Sequence, residues 1–140
     1  MFILDTNIVS EFMRERPHPA VLHWLDDRME RDLFVAAVTQ AEVLAGIALL
    51  PRGKRRQGLA AAADRAFDGM FADRVLPFDR SAARAYAGIA TARRRVGRPI
   101  SQADCQIAAI AAARGGTLVT RNIRDFEGTG AAVVNPWEDV

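Results

Sequence analysis

Met1-Phe2-Ile3-Leu4-Asp5-Thr6-Asn7 opens the chain with an apolar run that stops on a carboxylate. Phe2, Ile3 and Leu4 read as a buried strand, Asp5 as its C-terminal tip, and Thr6 and Asn7 as the lead into a helix over Ile8 to Met13. In open parallel α/β sheets ligands bind just outside the carboxyl ends of the strands, so Asp5 is predicted where chemistry is commonly done. The plainer alternative is that Asp5 only caps the helix that follows it.

Outward from this stretch the chain alternates between strand and helix patterns. Pro17 and Pro19 open an amphipathic helix through Val21, Leu22, Trp24 and Leu25, and Leu33 to Val38 is an apolar run of the kind expected for a strand covered on both faces. Thr39-Gln40-Ala41-Glu42 is predicted to start a third helix that stops at Pro51. A long Ala-rich helix from about Gly53 to Asp73, a short strand at Val75 to Phe78 and a helix at Ser81 to Val96 follow. Ser101-Gln102-Ala103-Asp104 opens a helix that runs to Arg114 and is closed by Gly115-Gly116. Thr117 to Thr120 and Ala132 to Val134 read as the last strands. Alternation without hairpin signals predicts a three-layer α/β/α fold around a central, mainly parallel sheet of four to five strands. The two helices between Gly53 and Val96 flank one short strand and are expected to project as a helical arm.

At 140 residues the chain is one domain, with half its residues apolar and therefore able to bury a core. A single cysteine, Cys105, excludes an internal disulfide and fits a reducing compartment. The N-terminus has no basic region before its short apolar run, and no stretch is long enough to span a membrane, so a soluble, cytoplasmic protein is expected. The net charge of +2 conceals an asymmetry: residues 50–98 carry a net +8, leaving −6 on the flanks. A basic middle beside acidic ends suits a site that gathers carboxylates and presents cations to a polyanion. A solvated helix face would look the same.

Three acids fall at equivalent positions: Asp5 after the first strand, Glu42 in the first turn of the helix after the second, and Asp104 in the first turn of the helix before the fourth. Thr39-x-x-Glu42 and Ser101-x-x-Asp104 both have capping-box spacing, which explains each acid singly. It does not explain a third acid at a strand tip. If the first turns lie at one sheet edge the carboxylates converge, and clustered like charges need a cation. His18 and His23 sit among prolines and a helix start, and one cysteine makes no thiolate cluster, which disfavours zinc. An all-oxygen set suits Mg²⁺ or Mn²⁺ and, with it, phosphodiester hydrolysis.

Leu4-Asp5-Thr6-Asn7, Thr39-x-x-Glu42, Ser101-x-Ala103-Asp104 and Leu118-Val119-Thr120-Arg121-Asn122-x-x-Asp125-Phe126 resemble, in order and spacing, the motifs of PIN-domain proteins, in particular the VapC and FitB-like toxins of bacterial type II toxin–antitoxin pairs. The ending Val134-Asn135-Pro136-Trp137 is similar to that of the FitB-like branch, and the match covers essentially the whole chain. The resemblance implies a single PIN domain over residues 1–140, with the basic helical segment at about 52–98, and an endoribonuclease dependent on Mg²⁺ or Mn²⁺. It implies an antitoxin partner whose tail occupies the active-site groove, promoter DNA bound only through that antitoxin, and a homodimer. Carried onto this chain, Asp5, Glu42 and Asp104 are the metal-binding and catalytic acids, with Thr6 and Asn7 supporting Asp5 through hydroxyl or amide hydrogen bonds. Asn122 stands where the family often has a fourth acid, which weakens the case for a second metal. Asp125, three residues on, could substitute for that acid, but reads first as a turn residue before Phe126.

Arg52, Arg55, Arg56, Arg93 and Arg94 are the first candidates for phosphate contacts, beside Lys54, Arg95 and Arg98. Cys105 reads as a small buried residue, Trp24 as core, and Trp137 as packing at a terminus or a subunit contact. Three other functions compete with this one, two of them phosphoryl chemistry. An aspartyl phosphatase generally wants an aspartate where Asn7 stands, and a phospho-acceptor receiver wants a lysine at the site, whereas Lys54 is the only lysine. A non-catalytic, antitoxin-binding and promoter co-regulating protein would keep the acids as caps. If the acids instead share a metal, Asp5→Asn or Asp104→Asn should abolish cleavage and leave the metal-free fold as stable or more stable.

Overall fold

The computed structural model describes residues 1–138. Five strands, β1 (Phe2–Leu4), β2 (Leu33–Ala36), β3 (Val75–Leu76), β4 (Thr117–Val119) and β5 (Ala132–Val134), form one sheet in the order β3-β2-β1-β4-β5, and every pairing is parallel. The apolar opening stretch is therefore the central strand. On one side Ile3 and Leu4 pair with Phe34 and Val35, and on the other with Leu118 and Val119.

Alternate residues of the strands feed two cores, as the pleat requires. Leu4, Val35 and Val119 face α1 (Thr6–Phe12), α2 (Pro19–Asp26) and α3 (Ala37–Ala48), where Ile8, Val9, Val21, Trp24, Val43 and Ile47 close on them. Ile3, Ala36 and Leu118 face α5 (Arg80–Arg95) and α6 (Gln102–Arg114), packed through Ala82, Ile89, Ile107 and Ile110. The three-layer reading holds. Gly115 closes α6 in the left-handed region at φ 65°, and a Cβ on Gly116 would come within 2.9 Å of the Ile3 side chain, so the central strand sits directly on this turn.

Three sequence expectations change. The β2 strand ends at Ala36 and α3 starts at Ala37, so Thr39 lies inside the helix, fully buried, and not at its cap. The Ala-rich helix is α4 (Lys54–Asp64) followed by a wider π-helical segment over Arg65–Met70, whose end is held by Arg74 donating to the Met70 carbonyl and, at 2.8 Å, to that of Leu33. The expected helical arm does not form. Ala63, Ala66 and Phe67 of the first segment pack into the α1–α3 core, whereas α5 lies against α6 in the other, because each helix has an apolar stripe to bury. Among the described residues no helix is long and apolar enough to cross a membrane.

Candidate active site

The site grows from the register of the two central strands. Leu4 pairs with Val119, so the next residues, Asp5 and Thr120, emerge side by side at the carboxyl edge. The chain leaves β1 toward β2 on one side and later fills β4 on the other, which makes this gap the topological switch point of the sheet.

Asp5 is 5% exposed, and three donors converge on it. The Thr6 N–H donates to Oδ1 at 2.5 Å, while Thr120 Oγ1 at 2.7 Å and Asn7 Nδ2 at 3.2 Å donate to Oδ2. Asp5 is thus a cap and more than a cap: one oxygen caps α1 and the other ties β1 to β4. Asn7 supports Asp5 as the resemblance implied. Thr6 supports it through its backbone, and its hydroxyl instead donates to Glu42 Oε1 at 2.7 Å, beside the buried Thr39 hydroxyl at 3.4 Å. Glu42 lies beyond the first turn of α3, whose cap residue Ala36 has no side-chain bond, so the capping-box explanation fails there. At Ser101 the box half holds: Ser101 Oγ accepts from the Asp104 N–H at 3.2 Å.

Asp5, Glu42, Asp104, Asn122 and Asp125 line one open cleft of about 820 Å³. Burial pushes the Asp5 carboxyl above its ordinary range, against the Thr120 and Thr6 hydrogen bonds, and the charges of Asp104 and Glu42 push the same way. Burial also raises Asp104, with Asp125 and Glu42 adding to it and Ser101 and Arg93 opposing. The acids therefore feel one another across the cleft. Among the described residues no three Asp, Glu, His or Cys side chains already close on a single point. The donor set still fits a hard divalent cation, since it is all oxygen and its charges repel, and Mg²⁺ keeps several waters in place of protein ligands.

The raised carboxyls give a signed expectation for the metal-free protein. Where the fold holds a carboxyl above its unfolded value, the folded state binds more protons across that window, and stability falls as pH rises through it. Melting temperature in EDTA should decline across this range, less steeply in Asp104→Asn; coincident slopes for the two proteins would refute the coupling.

The predicted cations separate. Arg55 lines the cleft, whereas Arg52, Arg56 and Arg94 do not. Arg93 is a correction: it is 7% exposed, and its guanidinium donates to the carbonyls of Arg98 at 2.7 Å and of Asp125 and Glu127 at 2.9 Å each, so it is not a surface phosphate contact. Cys105 is buried with its thiol pushed up by that burial, which suits packing and not nucleophilic chemistry. Sequence reasoning missed Thr120 as the buried partner of Asp5, although the parallel register predicts the residue after β4 to meet the residue after β1. Asp125, read first as a turn residue and second as a substitute acid, sits in a 3₁₀ turn, Ile123–Phe126, and lines the cleft from there. Trp137 lines the cleft as well.

Comparison with known proteins gives this geometry a family. The PIN domain model matches residues 2–131. The chain is 44% identical to the plasmid stability protein StbB of Pseudomonas syringae pv. tomato and 41% identical to the VapC ribonuclease Y4jK of Sinorhizobium fredii, in each case over 99% of both chains. A solved structure of FitAB bound to the IR36 DNA fragment superposes with a TM-score of 0.91 at 38% identity, over 99% of this chain and 96% of that one. On the domain match and these identities, the chain belongs to the PIN-domain family, among the VapC and FitB-like toxins of toxin–antitoxin systems.

Proposed function

We propose that the protein is a metal-dependent endoribonuclease acting on RNA in the cytoplasm, the toxin of a pair whose antitoxin occupies the cleft. The observation that carries this reading is the convergence of Asp5, Glu42 and Asp104, from three separate elements, on one open cleft at the switch point. Asp5, Glu42 and Asp104 would hold Mg²⁺ or Mn²⁺, which when bound lowers the pKa of a water and neutralises charge developing on a phosphodiester. The chain's own part is to keep those acids ready. Thr120, Asn7 and the Thr6 N–H fix both oxygens of Asp5, so it cannot turn away, and the Thr6 hydroxyl orients Glu42. Asn122 adds a neutral amide to the cleft and no charge, while Asp125, whose charge reaches Asp104, offers the fourth carboxylate that position 122 lacks.

The relatives support the partners by their names: one is called a VapC ribonuclease, and FitAB was solved on DNA. For this chain we read RNA as substrate, the antitoxin as inhibitor, and promoter DNA as bound through the antitoxin alone. Ala41, Leu44, Ala45, Ala48 and Leu49 are exposed along α3, and this apolar face supports the expected homodimer. The test is cleavage of total cellular RNA by antitoxin-free protein with Mg²⁺, with Mn²⁺ and with EDTA. Discrete products are expected with either metal and none with EDTA. A folded protein that binds metal and cuts nothing would sink the nuclease in favour of the non-catalytic partner-binding alternative.

A further inference from the structure

An acid-lined cleft that must admit a polyanion needs cations at its rim. The arginines lining it are Arg14, Arg55 and Arg121. Arg14 is bound to Glu11 at 3.1 Å, while Arg121 has no carboxylate within ion-pair reach among the described residues. Arg121 is also mounted in a way that an ordinary surface arginine is not. Its N–H donates to Asn7 Oδ1 at 3.3 Å, so the residue that steadies Asp5 steadies Arg121 too. Its carbonyl accepts from Asn135 Nδ2 at 3.2 Å, and the buried Asn135 turns its other amide atom to accept the Trp137 N–H at 2.9 Å. The guanidinium then lies over the Trp137 ring, 4.9 Å from its centroid.

A ring accepts a cation through its π face and takes up none of its ion pairing, so the guanidinium keeps N–H donors for an anionic oxygen pair. We propose that Arg121, held over Trp137, is a phosphate-binding side chain of the cleft that grips the RNA backbone beside the carboxylates, with Trp137 as its positioning residue. The inference rests on the ribonuclease reading and deepens it by assigning the contact that brings the polyanion to an acidic site.

The test uses the full chain carrying Asp104→Asn, so that RNA is bound and not cut, with Mg²⁺ and a fluorescein-labelled, mixed-sequence short oligoribonucleotide followed by anisotropy over a salt series. Adding Arg121→Ala should weaken binding about tenfold near physiological salt, as expected for one charge-assisted contact. It should also flatten the salt slope by about 0.7, the single-strand value for one phosphate. Trp137→Phe, which keeps a ring under the guanidinium, should bind like the parent, and Trp137→Leu should bind several-fold more weakly. Unchanged affinity and slope in Arg121→Ala would overturn the proposal, as would losses that simply track a fall in melting temperature. If the protein with Asp104 intact still cuts cellular RNA in a metal-dependent way, such a result removes the Arg121 assignment alone. If it cuts nothing and the parent binds no RNA, the ribonuclease reading falls and the assignment falls with it.

Discussion

Asp104→Asn is expected to lower metal-dependent RNA cleavage on the order of a thousandfold, the loss of several kcal/mol of transition-state stabilisation, and to leave the metal-free fold at least as stable as the parent. The side chain is half-buried, and its carboxyl is raised by that burial and by the nearby charges of Asp125 and Glu42, so an uncharged isostere relieves a cost. The cap bond is not lost, because Ser101 Oγ accepts from the backbone N–H of residue 104 and not from its side chain. Asp5→Asn should behave differently, against the expectation from sequence. Three donors face that carboxylate, and an amide would turn its NH₂ group toward at least one of them. We expect a loss of cleavage of similar size together with a stability cost of about 1–3 kcal/mol, the usual cost of an unsatisfied buried polar group. Parallel cleavage assays and thermal melts in EDTA check both; if Asp104→Asn melts well below the parent, Asp104 serves the fold and not a charge cluster.

Arg93→Ala is expected to destabilise the protein by about 3 kcal/mol, a fall of about 10 °C in Tm for a chain of this size. One buried guanidinium holds the carbonyls of Arg98, Asp125 and Glu127, and so joins the end of α5 to the segment that carries Asp125 into the cleft. Removing it leaves three acceptors facing a void. Arg93→Lys should recover only part of the loss, since a single ammonium cannot reproduce the spread of the fork. The salt slope of RNA binding should not change in the lysine variant. A Tm equal to the parent's in Arg93→Ala would return this residue to the surface, where its sequence neighbours lie.

Arg93 illustrates what could be read beforehand and what could not. In the run Arg93-Arg94-Arg95 the three residues are chemically identical, and only their spacing distinguishes them: Ala82, Ile89 and Arg93 share the buried stripe of α5, a helical periodicity visible in the sequence. The central strand, its terminal carboxylate and the parallel sheet were legible because a short apolar run beside a polar turn has few other uses. The β2–α3 boundary was not, since Ala36, Ala37 and Val38 suit strand and helix alike and no capping side chain marks the change. The tie from Asp5 to the far end of the chain was also hidden. Nothing beside Asp5 in the sequence marks Thr120, 115 residues on, as the donor to its second oxygen.

That arrival sets an order of events during synthesis. The first strand emerges from the ribosome early with its carboxylate, but β4, Thr120 and the asparagine that clamps Arg121 all come from the last part of the chain, at residues 117–135. Until then β1 lacks its second neighbour and Asp5 lacks the hydroxyl that holds it. A nascent polypeptide of this kind carries every early motif and no assembled cleft, so whatever the cleft does waits until the last strands have left the ribosome.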